Sequence, residues 1–217
     1  MKFRTNLAAF AAVTALGAAA QLNAAIYTDA SNDLFDNGFA NLDIESVQLT
    51  DDGVNLTIAV TTRSFQNWTK YMMYFDTAAG GTSSNGWNRP VNLTSDIERY
   101  IGSWVDAPSD NAQFWAWGGS NWNLDTTLTN SVSGNTVTWT VSLAALGVSA
   151  GGTFYFDIAT SGGGNDPGVD HLSRADQATP GWSTASTSGN FLAYTTVPAP
   201  GALAVLGLAG LAARRRR

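Results

Sequence analysis

The sequence predicts an all-β protein that folds as an antiparallel, jelly-roll-like β-sandwich, and three observations support this prediction. Apolar and polar residues alternate over several short segments, which is the pattern of strands with one buried face. Segments rich in Gly, Asn and Ser separate these strands, and the chain contains 22 glycines, so tight turns are expected. Between the two ends of the chain, only one short segment is typical of a helix. Roughly eight or nine short strands of this kind are expected to form two packed sheets.

The strand predictions rest on the spacing of the apolar residues. Every second residue is apolar in segments 56–60, 137–143 and 154–158, so each segment is predicted to bury one face. The segment 71–75 is apolar on both faces, as expected of a central strand. Three further segments are strand candidates: 100–105, 113–117 and 191–195.

Turn and helix signals lie between these strands. The steps 51–53 and 133–135 each contain a glycine, and both predict hairpin turns. One helical turn is predicted over 142–146, ended by Gly147. Two longer stretches are rich in Gly, Ser and Asn, and loops of this length are commonly functional: 77–96 and 161–189.

The N-terminal segment has the features of a secretory signal peptide. Lys2 and Arg4 precede an Ala- and Leu-rich apolar stretch over 7–20, which is predicted to be the signal helix. The small residues Ala24 and Ala25 offer a cleavage site. The sequence therefore predicts a signal peptide at 1–24 and export of the protein.

The C-terminal segment 197–217 consists of a proline motif, an apolar stretch at 201–213 and an arginine cluster. As a helix, the apolar stretch would be about 20 Å long, which is shorter than the roughly 30 Å hydrocarbon core of a bilayer. The arginines would stay on the cytoplasmic side, so the prolines would face outward. The motif and the cluster comprise Pro198, Ala199, Pro200, Arg214, Arg215, Arg216 and Arg217.

This order of parts resembles the PEP-CTERM sorting signal, in which Ala199 takes the place of the usual Glu. The resemblance implies an exosortase-type processing enzyme as a partner and transient membrane insertion through the short C-terminal helix. It also implies localisation to the cell envelope, the outer surface or an extracellular matrix. A plain C-terminal membrane anchor is the alternative. Between the two targeting segments, residues 25–196 form the predicted β-sandwich domain.

The composition of the domain excludes several functions. It keeps five of the eleven basic residues and all seventeen acidic residues, a net formal charge of −12, whereas nucleic-acid binding needs clustered Lys and Arg. The chain has no cysteine, so disulfides, thiol catalysis and cysteine-based zinc sites are excluded. It has one histidine, His171, which is predicted to be a loop residue with a local hydrogen bond. With no nucleophile-elbow motif or histidine pair, the sequence predicts a protein that is not an enzyme.

Four segments of the domain resemble family 9-like carbohydrate-binding modules and related DOMON-type β-sandwiches. They are LDIESVQLTDDGVNLTI at 42–58, WTKYMMYFDT at 68–77, NGWNRP at 85–90 and FYFDIATSGGG at 154–164. The resemblance implies a sandwich that binds sugar between aromatic rings and nearby polar groups.

The eight tryptophans are the main signal for a ligand, because aromatic faces stack on sugar rings or fill a core. Trp139 is in phase with the apolar residues of its strand, which predicts a core position. Trp87 lies in a long loop and Trp122 follows a Gly-rich turn, where exposure is expected. The predicted sugar-binding residues are Trp87, Arg89, Trp117 and Trp122. An alternative role for Arg89 is to fix its own loop through a carboxylate.

Acidic residues cluster in two places and predict calcium as a cofactor. Asp29, Asp33 and Asp36 lie close together in the chain, and Asp166 and Asp170 lie in the second long loop. Carboxylate oxygens on loops are the ligands that Ca²⁺ takes, although the EF-hand spacing is absent. The alternative is that these are solvated aspartates at turns.

Three functions remain open at this level. The first is an exported, non-catalytic carbohydrate-binding domain whose partner is a polysaccharide. The second is a structural or protein-interaction protein of the exopolysaccharide matrix that binds no glycan. The third is an enzyme of unknown reaction.

Overall fold

A computed structural model describes residues 23–198, and in this range two antiparallel β-sheets pack face to face, so the predicted sandwich is confirmed. The predicted signal helix, the apolar C-terminal stretch and the arginine cluster lie outside the described residues. The elements of residues 23–198 are, in chain order, β1 (Asn23–Thr28), β2 (Ile44–Asp51), β3 (Asn55–Thr62), β4 (Lys70–Asp76), β5 (Val91–Asn92), β6 (Arg99–Trp104), β7 (Ala112–Trp117), β8 (Trp122–Leu128), β9 (Asn130–Ser133), β10 (Thr136–Ser142), α1 (Leu143–Leu146), β11 (Thr153–Ser161), β12 (Asp170–His171), β13 (Ser186–Thr187) and β14 (Leu192–Thr195).

The two sheets differ in size. In the described part of the chain the smaller sheet has the order β1-β2-β3-β10-β9, and the larger has the order β12-β11-β4-β6-β7-β8. Strand β14 also pairs with β11, along the half of that strand that β12 leaves free. The short strands β5 and β13 form a separate parallel pair that joins the two long loops.

Side-chain alternation places the core between the sheets. In β3, Leu56, Ile58 and Val60 are buried and their neighbours are partly exposed, and β10 directs alternate residues inward in the same way. The predicted alternation is therefore confirmed in these two strands. In β11 it holds only at the start of the strand, because every residue from Phe156 to Ser161 is buried. The largest side chains buried in this core are Tyr71, Phe75, Phe114, Trp139, Phe154 and Phe156.

The predicted hairpins and the helical turn are also confirmed. Gly53 and Gly134 lie at the β2–β3 and β9–β10 turns with positive φ, a conformation that glycine adopts without strain. The Ser142 side chain caps α1 by accepting a hydrogen bond from the Ala145 amide at 3.0 Å, and Gly147 ends the helix in the left-handed conformation. Within residues 23–198, no helix is long and apolar enough to span a bilayer.

The two-residue strands β5, β12 and β13 lie within the predicted long loops, and three longer strands, β1, β8 and β9, were also not predicted as strands. The strands β1, β8 and β9 each lie at the edge of a sheet. An edge strand has a neighbour on one side only, and five of the seven residues of β8 are exposed, so burial imposes little alternation on its sequence. Trp122 follows the Gly-rich turn, as predicted, and is the part-buried first residue of β8, where it pairs with Trp117.

The larger sheet is covered on its outer face as well. Its strand β4 has five consecutive buried residues, so both faces need a covering layer. The smaller sheet covers one face, and the segments 77–98 and 162–191 fold over the other. Tyr74 and Tyr100 are fully buried in this second apolar layer, and part-buried aromatic residues pack around them. Residues of both predicted long loops thus belong to this buried apolar layer.

Replacing Trp139 with Phe is expected to lower the free energy of unfolding by about 2 kcal/mol, from lost core volume and a lost hydrogen bond. The Trp139 indole nitrogen donates to the Ser103 hydroxyl at 2.8 Å, and the ring contacts Tyr71. Urea unfolding at an unchanged m-value measures the loss. Val132→Ala, at a side chain that is 43% exposed, is the control and should change stability by less than about 0.5 kcal/mol. Equal effects of the two variants would contradict the prediction.

Candidate functional site

An open groove crosses one end of the outer face of the larger sheet. Its volume is about 320 Å³, and its lining comprises Lys70, Trp87, Arg89, Trp104 and Gly164. Lys70 begins β4 and Trp104 ends β6, and the two residues are direct neighbours in the antiparallel register. Trp87 and Arg89 come from the first long loop, and Gly164 comes from the second. The groove is therefore formed where the two loops leave the sheet.

Trp87 is held against the sheet by contacts on several sides. A Cβ atom at position 102 would overlap the Trp87 ring, so Gly102 allows the indole to lie directly on β6. The indole nitrogen donates to Gln113 Oε1 at 2.7 Å, and the Arg89 guanidinium lies 5.5 Å from the ring centroid, in a cation–π contact. The centroids of the Trp104 and Trp87 rings are 6.2 Å apart, and the two ring planes are inclined by 31°. Two aromatic rings are thus fixed side by side before any ligand binds.

Arg89 joins the two long loops. Its guanidinium donates to the carbonyl oxygens of Gly163 and Asp166, both at 3.1 Å, and more weakly to that of Gly162. The expected alternative was a carboxylate partner within its own loop; the partners found are backbone carbonyls of the facing loop. Burial lowers the pKa of Arg89, and the negative charge of Asp166 works in the opposite direction.

Lys70 and Trp104 were not predicted as site residues. Lys70 forms an ion pair with Asp106 at 3.5 Å and lies beside Trp104. The signal for Trp104 was present in the sequence, because Tyr100, Gly102 and Trp104 alternate along β6 and share one face. A glycine between two aromatic residues on that face marks a place where another group packs closely.

Trp117 and Trp122 form a second aromatic pair on the same face of the sheet, outside the groove lining. Their rings are 5.6 Å apart and inclined by 58°, and the Trp122 indole nitrogen donates to the Ser84 hydroxyl at 3.1 Å. Tyr100 contacts both Trp122 and Trp87 and so lies between the two pairs. The four predicted sugar-binding residues therefore divide into two groups.

A cluster of buried carboxylates lies near the start of β2. One carboxylate oxygen from each of Asp33, Asp43 and Asp170 lies within 4.8 Å of the other two, and Asp29 adjoins them at the end of β1. These residues come from three distant parts of the chain. Asp43 was not predicted as a metal ligand, because it directly precedes a strand and lies outside the acidic segment 29–36. The structure thus brings together Asp29, Asp33 and Asp170 of the predicted set and adds Asp43.

Some oxygens of the cluster have protein donors. Asp170 accepts a hydrogen bond from the Ile44 amide at 2.6 Å, and Asp43 Oδ2 accepts one from the Asn32 amide at 2.9 Å. Arg63 forms an ion pair with the same Asp43 oxygen at 3.3 Å. The oxygens without a hydrogen-bond partner in the described structure are Asp29 Oδ2, Asp33 Oδ1, Asp33 Oδ2 and Asp43 Oδ1.

The pKa values of three carboxylates in the cluster are raised above their ordinary values. Burial raises the pKa of Asp29 to about 8, and the negative charges of Asp33 and Asp43 act in the same direction. Burial also raises the pKa of Asp33 and raises that of Asp170 well above its usual range. Burial and mutual repulsion therefore disfavour the charged forms of Asp29, Asp33 and Asp170.

The other two predicted metal ligands lie elsewhere. The Asp36 carboxylate is exposed and accepts a hydrogen bond from the Gly38 amide at 2.9 Å, as in a local turn. The Asp166 side chain packs against Gly162, beside the groove. For Asp36, therefore, the alternative of a solvated turn aspartate describes the observed geometry.

His171 lies in a buried hydrogen-bond chain that the sequence did not predict. Its Nδ1 is 2.6 Å from Asp157 Oδ2 and its Nε2 is 3.1 Å from Ser186 Oγ. This is the order of contacts in a Ser-His-Asp triad, but all three residues are 0% exposed, and Gly168 packs over the His171 ring. The expectation of a loop residue is corrected, because His171 lies in β12. These hydrogen bonds connect β11, β12 and β13, so we assign them a structural role.

Ser186→Ala is expected to lower the free energy of unfolding by only about 1 kcal/mol, the value of one hydrogen bond. His171→Asn should cost more, about 3 kcal/mol, because it leaves the Asp157 carboxylate buried without its partner. Urea unfolding measures both. The wild-type protein should also form no adduct with a fluorophosphonate by mass spectrometry, since the hydroxyl is buried. An adduct on Ser186 would contradict the structural role.

The chain matches no protein-family model, and a search of curated proteins finds no similar sequence. The resemblances to PEP-CTERM proteins and to family 9-like carbohydrate-binding modules consequently rest on the sequence segments quoted above. The further evidence about function lies in the aromatic groove and the carboxylate cluster themselves.

Proposed function

We propose that this protein is an exported, non-catalytic carbohydrate-binding β-sandwich that binds polysaccharide in the groove beside Trp87 and Trp104. The observation that carries the proposal is the pair of inclined indoles, flanked by Lys70 and Arg89, in an open groove of about 320 Å³. Indole rings supply an apolar surface for the C–H face of a sugar, and the cationic groups supply hydrogen-bond donors for its oxygens.

Within the groove, Trp104 is the main stacking surface in this proposal. Gly102 and Arg89 both contact the Trp87 ring, which leaves less of that ring for a ligand. Trp104 is part-buried at the end of β6, where the strand fixes its backbone. Trp87 then supports Trp104 and closes one side of the groove.

The distribution of charge also supports a ligand at this place. The domain has five basic residues against seventeen acidic ones, and two of the five line the groove. Lys70 is paired with Asp106, and Arg89 is bonded to carbonyl oxygens, so both cations are held in position. A polysaccharide that offers hydroxyl or carboxylate oxygens fits these donors.

The alternative of a purely protein-binding surface has less support in the described structure. The large exposed apolar residues are distributed over different strands and turns, as is normal for single side chains. They are Ile26, Val54, Trp68, Leu124, Val132 and Tyr155. The groove, by contrast, gathers two tryptophans and two cations in one place.

We also propose that the C-terminal segment sorts the exported protein to the cell envelope or matrix through an exosortase-type enzyme. Val197 is 5% exposed, and its amide donates to the Asp51 carboxylate at 3.1 Å, whereas Pro198 is exposed. Val197 is thus the last buried residue that the structure describes, and an enzyme could reach the exposed Pro198 without unfolding the sandwich.

Mass spectrometry of the mature protein from the native host is expected to find a C-terminus near Pro198, without Arg214–Arg217. The physical reason is that the motif follows Val197, the last buried residue that the structure describes. Replacing Pro198 and Pro200 with Ala should leave the uncleaved chain in the membrane fraction. Exported wild-type protein that ends at Arg217 would contradict this prediction.

Replacing Trp104 with Ala is expected to weaken polysaccharide binding about tenfold or more, equivalent to at least about 1.4 kcal/mol, because the main stacking surface is lost. A glycan array of neutral and uronate-bearing polymers identifies the ligand, and titration calorimetry measures the affinity. Trp117→Ala is the matched control, since Trp117 is a part-buried tryptophan on the same face outside the groove lining. The control should bind as the wild type does.

Two results would count against this function. The first is an array on which the wild-type protein binds no polymer, with or without calcium. The second is equal binding by the wild type and the Trp104→Ala variant, with both proteins folded by circular dichroism.

A further inference from the structure

The carboxylate cluster beside β2 has a geometry that suits one large cation. We propose that Asp33, Asp43 and Asp170, together with the adjoining Asp29, bind a calcium ion that fastens three parts of the chain to one another. This site is separate from the groove, so calcium binding can be tested independently of polysaccharide binding.

The spacing of the oxygens fits a single ion. Oxygens from Asp33, Asp43 and Asp170 lie within 4.8 Å of one another. Ca²⁺ binds oxygen ligands at about 2.3–2.6 Å, so two ligands on opposite sides of one ion are roughly 5 Å apart. All three carboxylates can therefore contact the same ion without rearrangement of the backbone.

The unpaired oxygens are the second, independent observation. The Asp43 side chain is 0% exposed, yet its Oδ1 atom has no hydrogen-bond partner in the described structure, and neither oxygen of Asp33 has one. A buried carboxylate oxygen without a donor is costly. Arg63 pairs with the other oxygen of Asp43 and so leaves this cost in place, whereas a cation between the carboxylates would remove it.

The chemistry of the ligands selects calcium among the common ions. The cluster offers carboxylate oxygens only, and the ring nitrogens of nearby His171 are already bonded to Asp157 and Ser186. Oxygen ligands disfavour zinc and copper, which prefer nitrogen and sulfur. Magnesium retains most of its water and seldom occupies a cage of several carboxylates, whereas calcium accepts six to eight oxygens in flexible geometry.

The positions of the ligands define what the ion would do. Asp29 and Asp33 follow β1, Asp43 precedes β2, and Asp170 begins β12 in the second long loop. An ion shared by these residues would hold the loop against the smaller sheet. Calcium is therefore expected to stabilise the folded protein, with no part in a reaction.

The test is a calcium titration of the purified wild-type protein and two variants, by calorimetry and by thermal melting. Calcium at 100 times its Kd should raise the wild-type Tm by roughly 5–10 °C relative to excess chelator. Asp33→Asn should weaken calcium binding at least about tenfold. In chelator, this variant should melt at or above the wild type, because it removes a buried charge that lacks a partner.

The control variant is Asp36→Asn, which changes an exposed aspartate of the same segment and should match the wild type in both solutions. Magnesium should bind more weakly than calcium to the wild type. The proposal is overturned if calcium neither binds the wild-type protein nor changes its Tm, or if Asp33→Asn binds calcium as tightly as the wild type.

Discussion

The two-sided burial of strand β4 is the constraint on which the rest of the molecule depends. A strand with buried residues on both faces must be covered on both sides. The smaller sheet covers the inner face, where Tyr71 meets Trp139. On the outer face, two long, irregular loops of the described residues 23–198 pack over Tyr74 and Tyr100 in place of a second sheet. The groove is the place where this covering ends.

Loops that serve as a structural layer need polar groups to hold them, because irregular backbone cannot satisfy its own hydrogen bonds as a sheet does. Arg89 supplies one such anchor by bonding three carbonyl oxygens of the facing loop. The hydrogen bonds from Asp157 through His171 to Ser186 supply a second anchor. The residues that shape the groove thus also hold the fold together, and this explains why a groove residue such as Arg89 is so strongly restrained.

The sequence predicted the fold class because burial on one face leaves a period of two, as at Leu56, Ile58 and Val60. It did not predict the edge strands, where burial is slight. For the sites, the sequence predicted which types of residue take part better than it predicted which residues contact one another. Trp87 and Arg89 do line the groove, but Trp104 was missed because a tryptophan on a strand has the same pattern whether it faces a core or a groove. Asp43 was missed because its partners Asp33 and Asp170 meet it only through the tertiary fold.

His171 and Asp170 are adjacent in β12 and both are buried. The neighbours of His171 satisfy both of its ring nitrogens, so that group is complete within the protein. The neighbours of Asp170 include carboxylates whose oxygens have no donor, and added protein contacts from Arg63 reach only one of them. Since buried polar groups are normally paired, the first group is self-sufficient as a structural element, whereas the proposed calcium ion would supply the positive charge that the second group lacks.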